Sequence, residues 1–404
     1  MRTVRLRRLL ASVDNGAWGN EPGGSDVDVQ CVRAADFDFD ALRVDLTRAP
    51  LRGVDQRTWS RLKLRPGDLV LEKSGGGELA PVGRAVLFDK ESPAITSNFA
   101  ARVVPQPWVD PRFLVYTLRS LYDRGVTLQC IKQTTGIQNL DTEHWLNSGV
   151  PAPPTEDQRR IADFLDDRVA RIDRIIAARI EQTSLLSELI AETERNGVAG
   201  LLPGGNRVNP AAIPWLGAAG ADAIPITLSR VVTLQRGVDL TDEERRPGEV
   251  PVVTTAGVVG MHDKAIAAGP GVVIGRYGSV GNVHWLDGPY WPHNTTLYVK
   301  NRMGNDLRWI YYLLRSFPYE AMQARAAVPG VNRNDLAREL IPWIPVSRQL
   351  QIVHWLDHEL EKLSDHRRDL ARSISNLRDY KSSLITAAVT GELDVRTAGS
   401  GITG

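Results

Sequence analysis

The sequence predicts an α+β chain of two strand-rich globular domains, each followed by one long helix, with the two helices pairing with each other along a coiled-coil seam. Three observations predict it. Most of the first half of the chain returns in the second half, apolar β-branched runs flank glycine-rich turns in both copies, and a four-three apolar spacing marks the segment that closes each copy.

The copies match in order. "VRLRRLL" at residue 4 matches "ITLSRVV" at 226, and "DLVLEKSGGGELAPVGRAVLF" (68 to 88) parallels "GVVIGRYGSVGNVHWL" (271 to 286). Two β-branched runs around a glycine-rich turn predict a hairpin in each copy. Asn98 in "ITSNFAARVV" lies over Asn294 in "WPHNTTLYVK", and "VYTLRSL" (115 to 121) over "YYLLRSF" (311 to 317), at an offset of 196. The offset shrinks to 194 where "TTGIQNLD" meets "VPGVNRNDL", and to 191 where "PAPPTEDQRRIADFLD" (151 to 166) returns as "PWIPVSRQLQIVHWLD". Short loop deletions account for that drift, so the repeating unit is a whole domain plus a helix. Gly136 and Gly330 read as turn formers. Residues 14 to 58 read as an addition to the first copy without a counterpart in the second.

In the first helix Leu165, Val169, Ile172, Ile176, Arg179, Thr183, Leu186 and Ile190 follow the spacing of a coiled-coil seam. In the second, Leu356, Leu360, Leu363, Arg367, Leu370, Ile374, Leu377 and Lys381 keep the register, and Leu384 and Ala388 extend it. Thr155 and Gln158 have capping-box spacing; Ser347 is the candidate cap of the second helix. Gly197 and Gly391 are the expected helix ends. A helix of roughly 40 residues reaches about 60 Å. A proline before each helix fixes its own backbone angle and extends the residue ahead of it, which makes each entry a rigid joint.

Composition narrows the field. The 404 residues are 42% hydrophobic and 24% charged, ordinary for globular protein, and allow two or three domains. No run of about 18 apolar residues suggests a membrane span, and "MRTVRLRRLLASVDNGAWG" lacks a secretion signal, so a cytoplasmic protein is expected. Cys31 and Cys130 are too few for a disulfide framework and read as buried free thiols. A net charge of +1 gives no global attraction to nucleic acid, so any such affinity is local.

Catalytic readings fail on residues. "PAPPT" lacks the polar and aromatic partners with which an adenine methyltransferase holds a flipped base. "EKSGGGELAPVG" is not followed by Gly-Lys-Ser/Thr and becomes "GRYGSVGN" in the second copy, which argues against a phosphate cradle. His354 and His358 mimic half a zinc site, but Asp163 and Asp167 replace them in the first copy, so a solvated helix face is expected. Asp68, Glu72 and Lys73 suggest a nuclease cluster until Gly271, Gly275 and Arg276 are found at the equivalent places.

The chain resembles the specificity (S) subunit of type I restriction-modification systems. The resemblance rests on "VPAPPTEDQRRIADFLD" and "IPWIPVSRQLQIVHWLD", on "LITAAVTGELD" (384 to 394), on "NPAAIPWLGAAG" (209 to 220), and on the order of the duplicated parts, and it covers nearly the whole chain. The chain departs from the family in "PWLGAAGADAIPITL", which lacks the usual acidic and histidine-tryptophan spacing, and in the added residues of the first copy. The resemblance implies a first target-recognition domain at 1–150, a spacer helix at 151–200, a linker at 201–225, a second recognition domain at 226–343, a second helix at 344–394 and a tail at 395–404. It further implies a non-catalytic subunit in which each domain reads one half of a bipartite DNA site while the helices pair as an antiparallel coiled coil that sets the spacing. Its partners would be double-stranded DNA, two modification (methyltransferase) subunits and restriction/translocase subunits, with no membrane. No cofactor is expected in this chain; S-adenosylmethionine, ATP and magnesium would sit on the partners.

Arg, Lys, Asn, Gln, Ser and Thr read base edges, while phosphates take Arg, Lys and backbone amides. The polar residues near the recurring hairpin, and before the return to the helix, are therefore the candidate DNA contacts. In the first domain these are Lys73, Ser74, Arg84, Lys132, Gln133, Thr134 and Thr135; in the second, Arg276, Tyr277, Ser279, Asn282, Arg325, Asn332 and Arg333. Two rival readings make different demands: a stand-alone regulator would bind a defined site without partners, and a coiled-coil scaffold would not bind DNA.

Overall fold

A computed structural model describes residues 2–134, 136–205, 207–208, 213, 215–278, 280–320 and 330–398. The chain divides into two units, Met1–Ile180 with Arg372–Gly404, and Glu181–Ala371. Each long helix, Thr155–Val198 and Val346–Thr390, contributes to both.

In the first unit, strands Leu10–Asn15, Ala100–Pro105, Leu69–Glu72 and Ala85–Leu87 lie side by side in that order, each antiparallel to its neighbour. Successive side chains of a strand point to opposite faces. Accordingly Leu69 and Leu71 enter one apolar core with Phe113, Leu114 and Leu118, while Val70 enters another with Val86, Phe88 and Val32. The first core belongs to helix Pro111–Asp123, whose N-cap Asp110 accepts from the amides of Arg112 and Phe113 at 2.9 and 3.2 Å. The second unit repeats the plan with Thr233–Arg236, Thr296–Asn301, Gly271–Gly275 and Val283–Leu286, covered by helix Leu307–Arg315. The expected hairpin is present in both copies.

A smaller sheet corrects the reading of residues 14 to 58. Strand Val27–Val32 pairs antiparallel with Leu51–Val54 and parallel with Ala94–Thr96. In the second unit Val250–Thr254 pairs antiparallel with Gly257–His262 and parallel with Trp291–Pro292. Most of this region thus has a counterpart. The true addition is the excursion between Val32 and Leu51, which lays Phe37–Asp38 and Arg43–Val44 on the edge of the main sheet. "VDVQCV" and "VPVVT" share only the valines at their first and third places because a strand demands only residues that fit a pleated, half-buried surface.

Each proline-bracketed entry is the end of a strand. Gly149–Pro151 pairs with the unit's first strand, Thr3–Arg5, and Leu340–Trp343 pairs with Ile224–Thr227. The glutamine that follows is fully buried in both copies. Gln158 donates to the Pro153 carbonyl and accepts from the Asp110 amide, both at 2.9 Å. Gln349 donates to the Ile344 carbonyl at 2.9 Å and to Asn305 Oδ1 at 2.8 Å, and accepts from the Asp306 amide at 2.8 Å. Two turns along, Asp166 accepts from Arg112 and Tyr116, and Asp357 from Arg308 and Tyr312. One clamp therefore joins strand end, short helix and long helix in each unit.

The helix ends differ from expectation for the same reason. Gln158 is engaged in the clamp and Thr155 Oγ1 donates to the Trp108 carbonyl at 2.7 Å, so the two do not form a capping box. The second helix begins at Val346, ahead of Ser347, with the Pro345 carbonyl accepting from the amides of Arg348 and Gln349. Gly197 lies inside its helix, where a Cβ would come within 2.7 Å of Leu356 Cδ2; it permits close helix packing. The residues just past the helices are Gly200 and Gly391, at φ of +83° and +82°, where a side chain would be strained.

The seam pairs antiparallel within each unit. Val169, Ile172 and Ile176 share a core with Leu384, Ile385 and Ala388, near the far end of the second helix. Ile190 and Val198, late in the first helix, share one with Leu356 and Leu360, early in the second. Arg367 departs from the pattern: it is exposed, as a long charged side chain can be when its head reaches water. Lys381 stays buried and donates to Asp173 at 2.6 Å and to the Asp40 carbonyl at 2.7 Å, a polar pair at a seam position that fixes register. Both cysteines are buried and free, and burial pushes the Cys31 thiol up to about 11.

Replacing Gln349 by leucine strands a buried amide and carbonyl and should cost about 3 kcal/mol. Thr155→Ala, which loses one exposed bond, should cost about 1 kcal/mol or less. Denaturant unfolding midpoints of the purified variants check the difference.

Candidate nucleic-acid interface

The ladder of the main sheet brings specific residues to one end in each unit. Asn15 lies opposite Ala101, and Glu72 opposite Ala100, so the outward strands Leu10–Asn15 and Leu69–Glu72 finish where the central strand begins. Arg236 lies opposite Leu297, and Gly275 opposite Thr296, which is the same arrangement in the second unit. The hairpin loop leaves from this end. In the first unit its Ser74–Gly75 pairs with Ile137–Leu140, which in turn pairs with Ile131–Thr134. In the second, the Arg276 amide donates to the Thr295 carbonyl and the Val331 amide to the Arg276 carbonyl, at 2.9 and 3.0 Å. Hairpin and return segment thus meet in both units.

Most candidates gather here, in different roles. Lys73 Nζ donates to Asn15 Oδ1, and Ser74 Oγ donates to Asn139 Oδ1 at 2.6 Å. Arg84 grips buried Glu72 through two bonds of 2.8 and 3.1 Å, so its guanidinium is committed to the fold. Lys132 is exposed and pairs with Asp141 at 2.6 Å. Gln133 and Thr134 lie in strand Ile131–Thr134; Thr135, Ser279 and Arg325 fall outside the described residues. The Arg276 guanidinium stands 4.4 Å over the Tyr277 ring. Asn282 Nδ2 donates to the Thr255 carbonyl at 3.3 Å. Asn332 caps helix Arg333–Arg338 through the Asn334 amide at 2.8 Å, leaving Arg333 exposed on its first turn.

The glycines differ from one another. Gly136, at φ +83°, forms the turn between paired strands. Gly330 serves close approach instead: a Cβ there would lie 2.7 Å from the Tyr277 ring.

Three residues escaped the sequence reading. Asn15 and Arg236 hold register-equivalent strand ends, and Phe99 is an exposed aromatic at the start of the central strand. Extending the match of "VRLRRLL" with "ITLSRVV" sets Asp14 against Arg236 and Asn15 against Gly237, so only the ladder across the central strand brings the first two into register.

The charge at this end is unbalanced. Asp68 is held by Arg102 at 2.7 Å and Glu72 by Arg84, which neutralises the nearby buried acids. Lys73, Arg236 and Arg276 have no carboxylate partner among the described residues. Half-burial holds the Lys73 ammonium below its usual pKa. Among the described residues there is also no grouping of three His, Cys, Asp or Glu side chains placed to hold a metal, and no helix long and apolar enough to cross a membrane. In the second unit the exposed Asp239 carboxylate stands beside this end, held by Asn294 Nδ2 at 2.6 Å, and the rest of what the surface offers is donors and cations, the chemistry that meets phosphates and base acceptors.

Residues 62–183 match the type I restriction modification DNA specificity domain. Over that stretch the chain resembles the type I specificity family. Its fold is shared with a chain solved in a study of complex assembly and conformational transition of the type I R-M system, at a TM-score of 0.73 and 17% identity over 97% of this chain and 98% of that one. The HsdS subunit from Thermoanaerobacter tengcongensis is similar at a TM-score of 0.52 and 17% identity, over 97% of both chains. No curated protein matches. Arg84→Ala should cost about 3 kcal/mol, because it leaves the buried Glu72 carboxylate without its partner. Lys132→Ala, at an exposed pair, should cost less than about 1 kcal/mol. Thermal or denaturant unfolding of the two variants distinguishes them.

Proposed function

We propose that this chain is the non-catalytic specificity subunit of a type I restriction-modification complex, in which each unit reads one half of a bipartite DNA site. The observation that carries the proposal is the repeated strand end. One scaffold presents unpaired cations and polar loops twice, on sequences that have diverged where they would meet DNA. Two dissimilar reading ends on one chain suit a split, asymmetric site.

The paired helices would set the spacing between half-sites and dock two modification subunits. Exposed Ile175 in the first unit, and exposed Leu185 and Leu189 in the second, are apolar surface available to a partner helix. The modification subunits would carry S-adenosylmethionine and methylate adenine; restriction subunits would use ATP and magnesium. The similar chain studied in type I R-M complex assembly supports such a setting.

Deleting the gene for this chain should abolish methylation at one split, asymmetric motif and leave every other methylated site unchanged, as read by methylome sequencing. Unchanged methylation in a host that expresses the system sinks the proposal. Exchanging residues 1–150 for those of another family member should change one half of the motif and preserve the other. A folded hybrid that alters both halves would argue against independent reading.

A further inference from the structure

The geometry points to one guanine-reading donor pair in each unit: Asn15 with Lys73 in the first, and Arg236 with Arg276 in the second. This rests on the functional reading above and adds the residues and the base.

The pairs are equivalent by register. Asn15 and Arg236 end the first strand of the main sheet, opposite Ala101 and Leu297; Lys73 and Arg276 directly follow Glu72 and Gly275, opposite Ala100 and Thr296. Ala101 and Leu297, like Ala100 and Thr296, are separated by the offset of 196 that relates the copies. The side chains differ, yet the chemistry is the same. Lysine and arginine only donate, and Asn15, whose Oδ1 already accepts from Lys73, keeps both hydrogens of its amide nitrogen to donate. Of the base edges in the major groove, guanine presents two adjacent acceptors, O6 and N7, and is the partner for paired donors.

Phosphate oxygens are acceptors too, but a backbone contact needs only a mobile cation such as exposed Arg333. These donors are held in place. Lys73 is half-buried and tied to Asn15, while the Arg276 fork lies over Tyr277, whose ring rests on Gly330. A fixed planar fork matches a base edge bidentately. Neither Lys73 nor Arg276 has a carboxylate partner among the described residues, so no ion pair must break when DNA arrives.

The test expresses the full chain with its modification subunits in a host without other adenine methylation and reads the methylated motif by sequencing. Lys73→Met should relax a guanine position in one half-site by about ten-fold or more, and Arg276→Met one in the other half. The opposite half, read as before, shows that each variant is folded. If a methionine variant gives no methylation, Lys73→Arg and Arg276→Lys decide: a retained guanine supports the proposal, and methylation with that position relaxed overturns it. An unchanged motif with weaker methylation at every site, and a salt dependence of binding reduced by about one unit of slope, identifies a phosphate contact and overturns it. A wild-type motif lacking guanine in either half does so as well. If the wild-type chain specifies no motif, the functional reading itself fails, and that arm alone reveals it.

Discussion

The buried glutamine is the contact on which the rest of each unit depends. Gln158 and Gln349 each satisfy a carbonyl at the end of the incoming strand and the amide of the residue that caps the short helix. Buried backbone groups must be paired, so the long helix can start only where the strand end and the short helix are already in position. The prolines fix the approach and the Asp166 and Asp357 clusters hold the next two turns. Orientation of the sheet, and of the residues at its far end, passes to the helix through these few bonds.

That division of labour explains where the copies agree and where they differ. Clamp, seam and short helix face buried partners and tolerate little change, and they are the parts whose wording recurs. The strand ends and loops face water, where most substitutions leave stability nearly unchanged. There the units have taken different residues, Asn15 and Lys73 against Arg236 and Arg276, on the same frame. The first unit also carries its excursion between Val32 and Leu51, pinned by Lys381 to the Asp40 carbonyl and by Arg119 to the Phe39 carbonyl at 2.8 Å.

Much of the candidate interface was visible in the sequence as a location but not as a set of roles. Lys73, Ser74, Arg276 and Asn282 were found because the hairpin recurs. That Arg84 is bound to Glu72, and Lys132 to Asp141, could not be read from spacing, because each partner comes from another strand or a helix start. Asn15 and Arg236 lie far from the hairpin in sequence and reach it only through the ladder across the central strand.

By itself the sequence determined the duplication, the fold class, the hairpins, the seam register and the place of each joint. All of these are periodic or local: a pattern of apolar residues or a proline acts on its own neighbourhood. The tertiary structure decided what the polar residues do. Gln158 became a clamp instead of a cap, Gly197 a packing site instead of a helix end, and the region 14–58 largely a shared sheet instead of an addition. A hydrogen bond or a close approach is set by whichever group lies opposite in space, and that group is chosen by the packing of the whole unit.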